Sequence, residues 1–130
     1  MAALANYSEK LLLDFLMTAG TATRPTAWYV ALYTGAPNDG GGGTELSGDG
    51  YSRKSVTWAA AATPGGTTSN SNAPSFTASG GSWGTVTHLG IHDASSSGNL
   101  LWHGALTASK VIADGDSLDF AAGSIDLTLA

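Results

Sequence analysis

The first segment of the chain distributes apolar and polar positions with a helical period. Its apolar residues are separated by steps of three and four, and they are Leu4, Tyr7, Leu11, Leu12, Phe15 and Leu16. This spacing predicts an amphipathic helix over about residues 6–18. Asn6 and Glu9 resemble a capping box, and Gly20 is placed to end the helix. We expect the apolar stripe to cover one end of the chain's own sheet, with docking onto a neighbouring subunit as the alternative.

From residue 26 onward the pattern changes to short apolar stretches separated by turns. Thr26–Tyr33 is apolar on both faces, which predicts a central strand. Tyr51–Ala60 alternates between polar and apolar residues, which predicts a half-buried strand. Of the two Gly-rich segments, 34–50 is predicted to be a long exposed loop and 63–72 to be a loop or an edge strand. Further short strands are predicted at 74–78, 85–92, 100–106, 110–113, 117–120 and 125–129.

The segment Trp83–Gly104 is predicted to be the central hairpin. Strict alternation places Thr85, Thr87, Leu89 and Ile91 on one face of its first strand, and Val86, His88, Gly90 and His92 on the other. One helix followed by about seven or eight short strands with Gly-rich turns is typical of an antiparallel β-sandwich of jelly-roll type. We predict a single mainly β domain over residues 1–130, with the sandwich at about 26–129.

The composition has a low share of charged residues. Asp, Glu, Lys and Arg make up 12% of the chain, the net charge is −5, and 42% of the residues are hydrophobic. Small neutral residues replace the missing charges, and such a surface suits close packing against other subunits. Arg53-Lys54 is the only adjacent pair of cations, so binding to nucleic acid or to an anionic membrane is not expected.

The sequence contains no Cys, which excludes disulfides and thiolate chemistry. Glu9, Lys10 and Asp14 interrupt the apolar N-terminal segment, and no run approaches the roughly 18 apolar residues of a membrane span. We therefore expect no signal peptide and no membrane anchor, and a protein that stays in a cytoplasm or in particles assembled there.

The three histidines are the first candidates for chemistry. His88 and His92 share a face of the predicted hairpin, and His103 lies on its return strand. Together they could hold zinc, as in a metal-dependent hydrolase. Two ligands four residues apart on a strand are roughly 13 Å apart, however. We therefore interpret the three as hydrogen-bonded or subunit-contact residues, and we predict no metal, cofactor or catalytic residue.

Other patterns typical of catalysis or ligand binding are weaker still. The four consecutive glycines lack the Lys-Ser/Thr of a P-loop, and no G-x-S-x-G elbow is present. Asp-Gly pairs are ordinary turn signals. Trp28, Trp58 and Trp102 are expected in the core, whereas Trp83 is expected at a strand edge, where a sugar ring could stack.

Three blocks of the sequence carry a family resemblance. They are WYVALYTGAPNDGGGGTELSGDGYSRKSVTW, WGTVTHLGIHDASSSGNLLWHGAL and KVIADGDSLDFAAGSIDLTL. Together they resemble small tailed-bacteriophage virion proteins that carry a tail-fibre-like label, and the resemblance runs from Tyr7 to Leu129. Proteins of this size and predicted fold are also similar to the jelly-roll cement proteins that decorate capsids. The resemblance implies a structural role in the virion and brings no catalytic residues.

We therefore predict a non-enzymatic virion structural protein that works as a homo-oligomer. A capsid cement role, bridging subunits of the major capsid protein, is favoured because the chain has no room for a fibre stalk. The first alternative is a tail fibre or baseplate component that binds the host surface, and the second is the metal-dependent hydrolase. The contact elements are expected to be the helix and the two Gly-rich segments. The predicted contact residues are Tyr7, Leu11, Gly41, Gly42, Thr67, Asn70 and Trp83.

Overall fold

A computed structural model describes residues 2–129 of the chain. Helix α1 spans Asn6–Met17. The strands, numbered in chain order, are β1 (Ala2–Leu4), β2 (Tyr29–Gly35), β3 (Thr44–Glu45), β4 (Lys54–Ser55), β5 (Thr67–Ser69), β6 (Ser75–Thr77), β7 (Gly84–His92), β8 (Leu100–Ile112), β9 (Ser117–Asp119) and β10 (Asp126–Thr128). Within these residues the fold is mainly β with antiparallel pairing and one N-terminal helix, which confirms the predicted class.

A central sheet contains the predicted hairpin as its middle. The strand order is β1-β8-β7-β2-β3, and β4 also pairs with β2. β7 and β8 are the two longest strands and pair with each other along most of their length. The apolar strand β2 lies against the other edge of β7. Strands rich in β-branched and aromatic residues therefore occupy the centre of the sheet, and strands of two or three residues lie at its edges.

One face of this sheet packs against two short ladders, β5–β10 and β6–β9. The buried residues shared by these layers are Val30, Leu32, Val56, Phe76, Ala78, Trp83, Val86, Leu89, Ile91, Leu101, Ile112, Leu118, Phe120 and Ile125. Phe76 is fully buried, stacks on Tyr51 and meets Phe120 edge-on. The layers support a β-sandwich, whereas the jelly-roll connectivity is not confirmed by these pairings.

A register shift between β7 and β8 changes which residues share a face. Val86 pairs with Lys110 and His88 pairs with Ala105, so two steps along β7 correspond to five along β8. The three extra residues of β8 form a bulge, and a bulge interrupts the strict alternation of side chains. Val86 consequently lies in the core with Leu89. The prediction that Val86 shares a face with the histidines is wrong.

Helix α1 begins without the predicted capping box. Ala5 is the N-cap residue and has no side-chain oxygen that could accept a hydrogen bond, while Asn6 is already helical. The interpretation of Asn6 and Glu9 as a capping box is therefore corrected. At the other end, the backbone N–H and the hydroxyl of Thr18 both donate to the carbonyl oxygen of Asp14. This hydrogen bonding ends the helix at Met17, before Gly20.

The apolar stripe of α1 covers the sheet only in part. The first turn contacts β8, where Ser8 is buried. Further along, Leu13, Phe15, Leu16 and Met17 are 61%, 70%, 69% and 76% exposed. The expectation that the stripe covers the chain's own sheet therefore holds for the start of the helix and not for its end. No helix within residues 2–129 is long and apolar enough to cross a membrane.

Two segments differ from their predicted secondary structure. β3 lies inside the Gly-rich segment 34–50, which was predicted to be a loop, and Tyr51–Ala60 contributes only β4 and an isolated bridge from Trp58 to Asn70. β5, in the segment 63–72, fits the edge-strand alternative. Both β3 and β5 consist mainly of polar residues. Because these strands are defined by backbone pairing, the sequence has no alternation of apolar residues that would predict them.

Candidate binding cleft

The face of the central sheet opposite the core carries a buried polar pair. The hydroxyl of Tyr33 on β2 lies 2.7 Å from Nε2 of His92 on β7. Their rings are nearly parallel, with an interplanar angle of 13° and centroids 6.3 Å apart. The two residues are only 3% and 7% exposed. Gly90 makes room for them, since a Cβ at this position would lie 2.9 Å from Cε2 of Tyr33.

The Tyr33–His92 pair is uncharged at neutral pH. Burial, followed by the nearby positive charge of Arg53, lowers the pKa of His92 to about 4. Burial and the Glu45 carboxylate raise the pKa of Tyr33 to about 12. The Nδ1 atom of His92 is buried and has no hydrogen-bond partner among residues 2–129. An unpaired buried nitrogen costs about 1–3 kcal/mol and is uncommon in folded proteins.

An ion pair between Glu45 and Arg53 continues this polar network. Arg53 donates from Nε to Oε1 of Glu45 and from Nη2 to Oε2, both at 2.8 Å. The Tyr51 hydroxyl donates to Oε1 at 2.8 Å and accepts the Leu32 N–H at 3.1 Å. Burial disfavours the carboxylate form of Glu45, but the hydrogen bonds from Arg53 and Tyr51 outweigh it and lower its pKa. Glu45 is therefore a carboxylate at neutral pH.

Arg53 also fixes the loop between β7 and β8. Its Nη1 donates to the carbonyl oxygens of Ala94 and Ser97 at 2.9 and 2.8 Å. Inside that loop, the Asp93 carboxylate accepts hydrogen bonds from the backbone and side-chain amides of Asn99. The Arg53 side chain is 7% exposed. Its charge is therefore compensated inside the protein by one carboxylate and two carbonyl dipoles.

The network forms the floor of a cleft of about 580 Å³. Three segments supply the walls: the first turn of α1 with Asn6 and Tyr7, the four glycines Gly40–Gly43, and the loop segment Ser97–Leu100. The volume lies in the range of small-molecule sites, which is roughly 300–1,000 Å³. The cleft is therefore large enough to bind a ligand.

Asp39 attaches the Gly-rich wall to the rest of the fold. Its carbonyl oxygen accepts the Asn6 N–H at 2.9 Å, and its carboxylate lies 2.8 Å from Nε2 of His103. Beyond this attachment, Gly41 and Gly43 have φ angles of 106° and 90°. Side chains rarely allow such angles, so glycine is required in this wall. The wall is consequently held at its base and lined by backbone.

The three histidines share one face of the sheet but contact different partners. His92 contacts Tyr33, His103 contacts an aspartate, and Nδ1 of His88 lies 2.8 Å from the hydroxyl of the preceding threonine. No three His, Asp or Glu side chains within residues 2–129 lie close enough together to hold a metal ion. The strand rise keeps the imidazoles apart, although the register of β7 and β8 brings them to one side.

Two of the predicted subunit-contact residues are buried in their own chain. Trp83 is 6% exposed, its ring meets Tyr51 edge-on, and its indole N–H donates to the Asp49 carbonyl. Asn70 is 2% exposed, and its side chain bonds to three backbone groups. Both side chains thus bond to groups of their own chain, and a subunit contact at either residue stays a prediction. Because the Trp83 ring is buried, the expectation of an accessible ring for sugar stacking is corrected.

The other predicted contact residues lie at or near the surface. Tyr7, Gly41 and Gly42 surround the cleft. Leu11 is half-buried in α1, and Thr67 is half-buried in the β5–β10 ladder. A contact role for these five residues stays a prediction.

Apart from His92, the residues of the cleft floor were not singled out by the sequence. Tyr33 belongs to a strand that is apolar on both faces, and Glu45 lies in a segment predicted to be a loop. Arg53 drew attention only as a possible nucleic-acid contact. One usable signal was the Glu and Arg on either side of the turn in GTELSGDGYSR, because a turn brings the residues that flank it together and opposite charges attract each other.

The antiparallel sheet, the small neutral residues and the exposed apolar end of α1 are features of a structural protein that assembles with others. A family model described as Podophage GP4 fiber I protein gp80 matches residues 3–128. The match spans nearly the whole chain, and the chain belongs to this family. The predicted membership in a phage virion structural family, and with it location in the virion, is confirmed. A search among curated proteins gives no match.

Proposed function

We propose that this chain is a non-enzymatic subunit of a phage tail fibre. Its family is described as a fibre protein, which favours the tail alternative over the cement role preferred from the sequence. The main objection to a fibre was the lack of room for a stalk. That objection is weak for an oligomer, because the projecting part of a fibre can be built from repeated copies or from another virion protein.

The exposed end of α1 is the observation that carries an assembly role. Leu16 and Met17 lie three and four residues after Leu13, so the three form one patch on the helix surface, with Phe15 beside it. Each of the four is more than half exposed. Burying such a side chain contributes about 1.5–3 kcal/mol. Covering the patch in an assembly is therefore strongly favourable, whereas leaving it in water is a liability.

A second copy of this chain is the proposed occupant of the patch. Lys10 and Asp14 on the same helix form an ion pair with each other, so this part of α1 presents no net charge that would repel an identical helix. Two such helices can pack their apolar patches together about a two-fold axis, or three about a three-fold axis.

Immunogold labelling of intact virions tests the location. Antibodies raised against the purified chain are expected to decorate the tail in negatively stained particles. Gold confined to the capsid shell would overturn the fibre proposal and support the cement role instead.

Light scattering of the purified protein tests the proposed contact. The wild-type chain is expected to be a homo-oligomer at micromolar concentration, and the double variant Phe15→Ser/Leu16→Ser to be a monomer with wild-type circular dichroism. Val111 is 74% exposed and lies on β8, so Val111→Ser is the matched control and should stay oligomeric. A wild-type monomer, or an oligomer unaffected by the double variant, contradicts the contact.

A further inference from the structure

The cleft above the Tyr33–His92 pair has a lining suited to sugars. We propose that it binds one or two rings of a neutral saccharide. This inference deepens the proposed fibre function, because a fibre that meets a bacterial surface meets polysaccharide there. Whether a saccharide fits the cleft depends only on the residues that line it.

The charges of the cleft are already compensated, which argues against a charged ligand. Arg53 is held by both oxygens of Glu45 and by two carbonyl groups. One oxygen of the Asp39 carboxylate already has a hydrogen-bond partner, because it lies 2.8 Å from Nε2 of His103. A phosphate or carboxylate would need a cation released from such pairing, and a metal cation would need oxygen ligands without a competing partner. The lining thus favours a ligand without formal charge.

Hydroxyl groups match what the lining offers. A sugar hydroxyl both donates and accepts, and the Asn6 amide and the Ser97 hydroxyl at the rim can also do both. The carboxylates of Asp39 and Glu45 keep lone pairs beyond those used by their partners, since an ionised carboxylate has about four acceptor sites. Hydrogen bonds to such charged acceptors contribute about 1.5–3 kcal/mol each.

The shape of the cleft suits a flat ring. Gly40–Gly43 present backbone without side chains, and a Cβ built on Gly41 would meet no atom within 4 Å, so a ligand can approach this wall closely. Tyr7, in the first turn of α1, is 39% exposed and also lines the cleft. An aromatic face of this kind can stack against the apolar face of a sugar ring, as aromatic rings stack on each other.

The floor also contains the unpaired nitrogen described above. His92 Nδ1 is a buried side-chain atom without a hydrogen-bond partner among residues 2–129. The hydrogen bond from Nε2 to the Tyr33 hydroxyl fixes the ring, so His92 adds an uncharged polar surface to the lining of the cleft.

Titration of the ¹⁵N-labelled full chain with maltose, lactose and chitobiose tests the inference. At millimolar concentration at least one of these neutral disaccharides is expected to shift the amide resonances of both Gly40–Gly43 and Ser97–Asn99 with a common Kd. Inorganic phosphate is expected to leave them in place. The inference is overturned if none of the three disaccharides shifts these amides, or if phosphate does so instead.

Two variants decide whether the shifts report this cleft. Tyr7→Ala removes the stacking face and is expected to weaken binding about 10-fold. Val111→Ala changes a more exposed side chain on β8, outside the lining of the cleft, and should bind as the wild type does. An unchanged Kd for Tyr7→Ala contradicts the proposed site. Tail labelling together with absent shifts would leave the fibre proposal intact and remove only the saccharide site.

Discussion

The two faces of the central sheet are buried to a similar degree but held in different ways. On the core face, Val30, Leu32 and Ile91 are at most 1% exposed and pack among other apolar side chains. On the opposite face, Tyr33 and His92 are nearly as buried, yet they depend on hydrogen bonds. Apolar packing is non-directional and tolerates repacking, whereas a polar network loses much of its stability when one member is removed.

The two faces therefore contribute differently to the stability of the fold. The core face stabilises the fold through the area that it removes from water. The polar face leaves one nitrogen unpaired and borders a cleft, so it retains a cost that stability alone does not explain. Such local violations of the usual rules are expected at functional sites.

The largest effect is expected from a cavity in the core face. Phe76→Ala removes a fully buried ring that contacts Tyr51 and Phe120, and we expect a loss of about 3–5 kcal/mol in the free energy of unfolding. Urea denaturation followed by tryptophan fluorescence measures it. Val111→Ala, at an exposed position, should stay within about 0.5 kcal/mol of the wild type. A loss below about 1 kcal/mol for Phe76→Ala would place this ring outside the core.

A smaller loss is expected from breaking the ion pair on the polar face. Arg53→Ala leaves the partly buried Glu45 without its partner, and we expect a loss of about 2 kcal/mol. The loop carbonyls that Arg53 binds are released as well, so hydrogen exchange should accelerate at residues 94–99.

The control for this prediction is the double variant Glu45→Gln/Arg53→Ala. Neutralising the abandoned carboxylate should recover part of the stability lost in the single variant. Equal stability of the single and double variants would show that the two side chains do not interact, contrary to their 2.8 Å contacts.

The smallest of the three effects is a pH dependence that originates on the polar face. The pKa of His92 is about 4 in the folded chain and 6.5 for an unperturbed histidine. Between these values the unfolded state binds a proton that the folded state does not, so stability falls as the pH falls. From pH 7 to pH 5 we expect a loss of about 1–2 kcal/mol, measured by urea denaturation at both values.

His92→Gln removes this titration, so the stability lost between pH 7 and pH 5 should become smaller by about 1–2 kcal/mol. His88→Gln serves as the matched histidine control, because His88 contacts only the neighbouring threonine hydroxyl. A His92→Gln variant with the wild-type slope would show that the pH dependence comes from other groups.

The sequence predicted the parts of the fold that rest on local patterns. The helix and the central hairpin follow from the spacing of apolar residues, and the middle block of the hairpin carried the family resemblance. β1 was missed because Ala2–Leu4 has no strand pattern of its own and is defined by its pairing with residues 102–104. The face of Val86 was missed because a bulge in the partner strand sets it.

The cleft could not be predicted because its residues meet only in the folded chain. Tyr7, Tyr33, Arg53 and His92 come from the helix, two strands and a connecting segment. Long-range pairing brings them together, and one sequence contains no direct record of that pairing. From the sequence, the histidines could be interpreted as possible metal ligands. The polar network around His92 depends on a hydrogen bond with Tyr33, 59 positions earlier in the chain. It also depends on the charge of Arg53, which is likewise distant in the sequence.

The pairing of β1 with β8 also has a consequence for the time course of folding. The strand that precedes α1 finds its partner about a hundred residues later in the chain, and β10 pairs with the distant β5. Chains dominated by such distant pairings fold in roughly milliseconds to seconds. Until β8 forms, α1 has no sheet to pack against, and its apolar residues can associate with other incompletely folded chains. The interval before β8 is complete is therefore the stage at which single subunits are most prone to associate wrongly.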